Sequence, residues 1–117
     1  MRKIEDIMVW HKARVLIKEV YMVTRDFPKE EQYGLVSQLR RAVVSIAANI
    51  AEGAGRNTNE EFKQFLGIAS GSAYEVQTLL QISNDLQMVT STLFENLNKQ
   101  TVEIQKMIFG FQQTLNK

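Results

Sequence analysis

The stretch Ser45–Arg56 reads SIAANIAEGAGR, an apolar run of small side chains that closes in Gly-Ala-Gly-Arg. Its glycines mark either a phosphate-holding loop or the end of a helix. A phosphate site needs them ahead of a helix, where free N–H groups and the positive end of the dipole face the anion. Here Gly53 and Gly55 follow a helical run, where the unpaired groups are carbonyls and the dipole is negative. The lysine and hydroxyl residue of a nucleotide-binding loop do not follow them. The stretch therefore reads as a helix with a left-handed glycine cap. Arg56, beside the first N–H groups of the next helix, keeps the remaining capacity for an anion.

Upstream, at about 100° per residue, Leu35, Leu39, Val43, Ile46 and Ile50 fall on one face and Val44, Ala47, Ala48 and Ala51 form a small-residue flank. Arg41, Ser45, Asn49, Glu52 and Arg56 share a polar stripe that places opposite charges within hydrogen-bonding reach. This predicts a second helix running from after Pro28 to about residue 52, with Glu30 and Glu31 at its positive end. Ahead of it, Ile7, Trp10, Ala13, Ile17, Val20 or Tyr21, and Phe27 predict a first helix over residues 6–26, broken at Phe27-Pro28. Downstream, Thr58-Asn59-Glu60-Glu61 is a capping box, and Phe62, Phe65 or Leu66, Ala69, Ala73, Val76, Leu80 and Ser83 form the inward row of a third helix. A second box, Thr92 to Glu95, opens a fourth helix carrying Leu93, Leu97, Ile104, Ile108, Phe111 and Leu115. Four long helices with short connections predict an all-α, antiparallel up-and-down four-helix bundle, one domain over residues 1–117.

Composition narrows the chemistry. A chain of 117 residues that is 44% hydrophobic builds one core. It has no cysteine and a single histidine, His11, which leaves no thiolate ligand, cysteine nucleophile or histidine cluster. No cofactor, metal or catalytic residue is expected. Paired carboxylates at Glu52 and Glu75 read as salt-bridge partners of Arg41 or Arg56 rather than as an acid–base pair. The uncharged run Ala42–Ala51 is half the length of a bilayer span of about 20 residues, so a soluble, cytoplasmic protein with no membrane partner is expected.

Fourteen basic and thirteen acidic residues give a net charge of +1, so any charged surface is local. Residues 1–27 hold six basic and four acidic side chains; residues 58–87 hold one and four. The candidate nucleic-acid contacts are therefore Arg2, Lys3, Lys12, Arg14 and Lys18. The alternatives are a solvated face, or opposite-sign faces that meet between subunits. Trp10, Tyr21, Tyr33 and Tyr74 read as core or interface anchors. In the third helix Gly67, Ser70, Gly71 and Ser72 repeat the small-residue pattern. Two interior glycines cost about 1 kcal/mol each, which predicts a close helix contact inside the bundle or between copies.

The ordered combination QLRRA, SIAANIAEG and GSAYE, within a match from Val9 to Ser83, resembles the bacterial four-helix bundle proteins named for the 23S ribosomal RNA intervening sequence. The accessory variability protein of diversity-generating retroelements is similar to that family. The resemblance implies a homopentameric ring of bundles. It implies no settled molecular function, with nucleic-acid binding suggested for relatives. The motif positions it carries onto this chain are Arg41, Ser45, Asn49, Glu52, Gly53 and Arg56, with Gly71, Ser72 and Glu75. Charge and resemblance together lead to the expectation of an oligomeric interaction protein, its partners being copies of itself and either RNA or DNA or another protein.

Overall fold

Pro28 has no N–H to extend a helix and biases Phe27 away from helical backbone, so the chain turns there and doubles back. In the computed structural model, which describes residues 2–116, helix α1 spans Met8–Thr24, α2 Leu35–Ala54, α3 Asn59–Asp85 and α4 Ser91–Thr114. Short 3-10 turns at Ile4–Asp6 and Lys29–Glu31 precede α1 and α2. Each helix packs on its neighbour in sequence, and α4 closes on α1. The result is an up-and-down bundle of 45 × 23 × 20 Å. There is no strand among the described residues.

The four inward rows meet on the bundle axis. Leu16 and Val20 from α1, Leu39, Val43, Ile46 and Ile50 from α2, Phe62, Leu66 and Val76 from α3, and Leu97, Ile104 and Ile108 from α4 are all buried. Each such side chain contributes about 1.5–3 kcal/mol on leaving water. At the ambiguous positions Val20 and Leu66 point inward, while Tyr21 is exposed and Phe65 half-buried. Leu93, expected in the α4 row, is exposed, and Phe111 and Leu115 pack only on the edge of the core. The core's few polar groups are satisfied locally: Thr24, Ser83 and Thr101 each donate to the carbonyl four residues back, at 2.7–2.8 Å. Gln105 donates to Gln77 Oε1 at 2.8 Å, tying α4 to α3.

The structure corrects several terminal assignments. Lys29–Glu31 forms a separate turn and α2 begins only at Leu35, whose N–H donates to Glu31 Oε1 at 3.3 Å. Thr58 caps α3 as expected, accepting from Glu61 N–H at 3.1 Å. The α4 cap is Thr90, which accepts from Leu93 N–H at 3.2 Å, so the helix opens two residues before the expected box. The left-handed glycine cap at the end of α2 is absent. Gly55 ends the helix in right-handed backbone, and the glycines of the described chain have no positive φ. Gly53 is instead buried at the seam with α3, where a Cβ would lie 2.7 Å from Phe65 Cβ and 2.8 Å from Phe62 Cδ1. The left-handed cap belongs to α3. Gln87, at φ 60°, donates its N–H to Asn84 O at 3.0 Å, and Met88 N–H reaches Ser83 O at 2.9 Å, the paired bonds of a Schellman ending.

Candidate nucleic-acid interface

A helix turns about 100° per residue, so Arg14, Lys18 and Arg25 fall within an arc of about 40° on α1 and its first continuing residue. All three are exposed. The only acid within α1, Glu19, faces the other way: Gln100 of α4 donates to both its carboxylate oxygens at 3.1 Å. The row thus carries one sign of charge along about 16 Å of helix. Arg40 extends it onto α2. Its Nε donates to Thr24 Oγ1 at 3.0 Å, its Nη2 to Tyr21 O at 3.2 Å, and its guanidinium lies 4.4 Å from the Tyr21 ring centroid. Arg14 lies similarly over Trp10 at 4.8 Å and bonds His11 Nδ1 at 3.3 Å. Both arginines hold their flat faces on aromatic rings and keep other N–H groups for a ligand.

The charge is distributed by halves. Helix α1 has three basic residues and one acid, α2 two and one, α3 one and four, and α4 two of each. The α1–α2 half is therefore +3 and the α3–α4 half −3. A phosphate backbone is attracted to the first and repelled by the second.

Other expected contacts have different work. Arg2 is folded onto the α2–α3 corner, where its guanidinium donates to Arg56 O at 2.8 Å, Ala54 O at 3.4 Å and Asn59 Oδ1 at 2.6 Å, and lies 4.7 Å from the Phe62 ring centroid. It satisfies the last carbonyl of α2, at Ala54, and that of Arg56 in the connection to α3. Lys12 pairs with Glu103 of α4 at 3.3 Å. Lys3 is exposed ahead of the first turn and Lys18 lies within the row.

The polar stripe divides into parts. Ser45 and Ser72 hydroxyls meet at 2.8 Å across the α2–α3 seam, and Asn49 donates to Ser45 O at 2.8 Å and Ser45 Oγ at 2.9 Å. One turn on, Arg56 pairs with Glu52 at 3.0 Å and lies over the Phe65 ring at 4.7 Å. Arg56 is thus engaged by the Glu52 carboxylate at the place where the sequence leaves capacity for an anion. Arg41 and Glu75 join neither part: both are exposed, and they make no salt bridge among the described residues.

The sequence profile of the 23S rRNA-intervening sequence protein family matches residues 5–110. The chain belongs to that family. It is similar in structure to a protein of unknown function from the S23 ribosomal protein family of Bacteroides thetaiotaomicron, known from a crystal structure, with a TM-score of 0.81 and 22% identity over 90% of this chain and 98% of that one. No curated protein matches. Membership in the 23S rRNA-intervening sequence family thus rests on nearly the whole bundle, including the α1–α2 half that carries the basic row.

Arg25 and Arg40 join the basic row in the structure but are not among the candidate contacts that charge in the sequence points to. Arg25 was legible, since it stands eleven residues, or about three turns, beyond Arg14. Arg40 was not, because its place beside α1 depends on how two helices pack. Among the described residues no three His, Asp or Glu side chains gather to hold a metal ion, and no helix is long and apolar enough to cross a membrane.

Proposed function

We propose that this chain is a non-enzymatic, self-associating interaction protein of the cytoplasm, assembled as the homopentamer its family resemblance implies, that binds RNA or DNA through the phosphate backbone. The observation that carries the reading is the single-sign row of Arg14, Lys18 and Arg25, extended by Arg40. Such a row contacts phosphates without reading bases, so binding is non-specific and salt-sensitive. Repetition around a ring multiplies a small local charge into a band. The test is binding of a labelled duplex and a structured RNA between about 50 and 200 mM salt, for the natural chain and a variant with Arg14, Lys18 and Arg25 changed to Gln. The variant binds more weakly, and the slope of log K against log salt falls by about 0.9 for each lost duplex contact. Equal binding by the two proteins rejects this surface.

A protein scaffold without nucleic-acid binding is the second reading. Met8, Val15 and Met22, at seven-residue spacing beside the basic row and 64%, 52% and 52% exposed, favour it. A row of apolar side chains suits a protein helix better than a phosphate backbone. Absence of nucleic-acid binding by the natural chain at low salt would select this reading.

A further inference from the structure

Antiparallel register places Arg41 and Glu75 level with each other. The Ser45–Ser72 contact and the approach of Gly53 to Phe62 and Phe65 fix how α2 runs against α3. Arg41 lies one turn before Ser45, and Glu75 lies about one turn beyond Ser72 on the opposing helix. Each points about 40–60° outward from that seam. Between and around them are Val44, 40% exposed, Ile68, 52%, and Ile82, 39%, with the exposed Ala48. This outer face presents apolar surface, one unneutralised cation and one unneutralised anion.

Gly71 lies in the same face. A Cβ built on it would meet nothing within 4 Å in its own chain. The expected contact that offsets an interior glycine is therefore not made inside the bundle.

We infer that this α2–α3 outer face is where copies of the chain meet, with Arg41 of one copy paired to Glu75 of the next. The inference rests on the self-association proposed above and names its surface. Charge complementarity selects a second copy as the occupant, because the face carries both halves of an ion pair and leaves both unused. Arg41 stands on the α2 edge of this face and Glu75 on its α3 edge, so the α2 edge of one copy meets the α3 edge of the next, a heterologous contact between two different patches that repeats into a ring. The Val44, Ile68 and Ile82 side chains lose water in the same contact. Arg14, Lys18 and Arg25 of the basic row belong to α1 and its C-cap, which contribute no residue to this face.

Light scattering after size exclusion tests this with a charge swap. The natural chain runs as an oligomer. Glu75→Arg and Arg41→Glu each lower the mass towards the 13.4 kDa of one chain, with helical circular dichroism unchanged because both sites are exposed. The combined variant recovers the natural mass. The milder Glu75→Gln lowers the mass on dilution without introducing repulsion. Single variants that keep the natural mass overturn the inference, since the pair is then made within one chain or the copies meet elsewhere. Failure of the combined variant to recover also overturns it. A natural chain that itself runs at 13.4 kDa at micromolar concentration refutes self-association as a whole, an outcome distinct from the other two.

Discussion

Gly53 and Gly71 are both helical glycines beside the α2–α3 seam, and they sit in opposite surroundings. At Gly53 a methyl group would collide with the Cβ of Phe65 and the ring of Phe62, and would lie 3.3 Å from the Phe62 carbonyl. At Gly71 it would enter open space. The first glycine is explained by the chain's own fold and the second is not. A glycine that lowers helix stability without an internal reason points outside the molecule, whereas one wedged against a neighbour reports how closely two helices approach.

The largest effect that would break this contrast is at the tight position. Gly53→Val is expected to destabilise the fold by about 3 kcal/mol, the upper end for overpacking. The obstacles are the Cβ of Phe65 and the backbone and ring root of Phe62, none of which is the free end of a flexible side chain. Phe62 has little room to yield, being fully buried against Phe111 in an edge-to-face pair at 5.2 Å. Urea unfolding measures the change. A loss under about 0.5 kcal/mol, the size of an ordinary surface substitution, would mean the seam opens freely.

The two glycines also show what local sequence can and cannot reveal. Helix rows were legible because Leu39, Val43, Ile46 and Ile50, or Phe62, Leu66, Ala69 and Ala73, repeat at a spacing that only a buried helix face requires. The role of Gly53 was not, because glycine near a helix end reads as a left-handed cap, and the reason for it arrives from Phe62 and Phe65 on the next helix. The left-handed residue was hidden for the converse reason: Gln87 has no composition signal, and Met88, partly buried against the core, helps hold the turn. Arg2 stands 52 to 57 positions from its acceptors, so charge alone put it on the basic surface. Arg14 and Lys18 were legible because their place follows from helix periodicity alone. The stripe of Arg41, Ser45, Asn49, Glu52 and Arg56 was legible as an arc but not as contacts, which depend on what α3 presents opposite each position.

A smaller effect, and one of opposite sign, is expected at the open position. In the Glu75→Arg background, where copies are held apart, Gly71→Ala gains helix propensity without a clash and stabilises the fold by about 0.8 kcal/mol. For a domain of this size that is a rise of about 4 °C in Tm. In the natural chain the same methyl group obstructs the proposed contact and lowers the assembled mass. A Tm that falls in the separated background would show that Gly71 has a structural reason within its own chain, and the contrast with Gly53 would dissolve.

The smallest effect sharpens the comparison from the far side of the bundle, where α1 meets α4. That seam is held at its surface by the tips of long side chains: Lys12 reaches Glu103 at 3.3 Å with both side chains about half exposed, and Gln100 reaches Glu19. An exposed ion pair gains little over hydration and loses side-chain freedom. A double-mutant cycle of Lys12→Ala and Glu103→Ala is expected to give a coupling of about 0.3 kcal/mol, shrinking further as salt screens it. Because its ammonium already has a carboxylate beside it, Lys12→Ala is also expected to weaken the nucleic-acid binding proposed above less than Lys18→Gln does. A coupling above about 1 kcal/mol would place the α1–α4 seam among geometrically specified contacts, as Gly53 places the α2–α3 seam. A near-zero coupling leaves two kinds of seam in one bundle: one set by backbone approach and intolerant of a methyl group, the other set by side-chain ends and able to lose a charge with little effect.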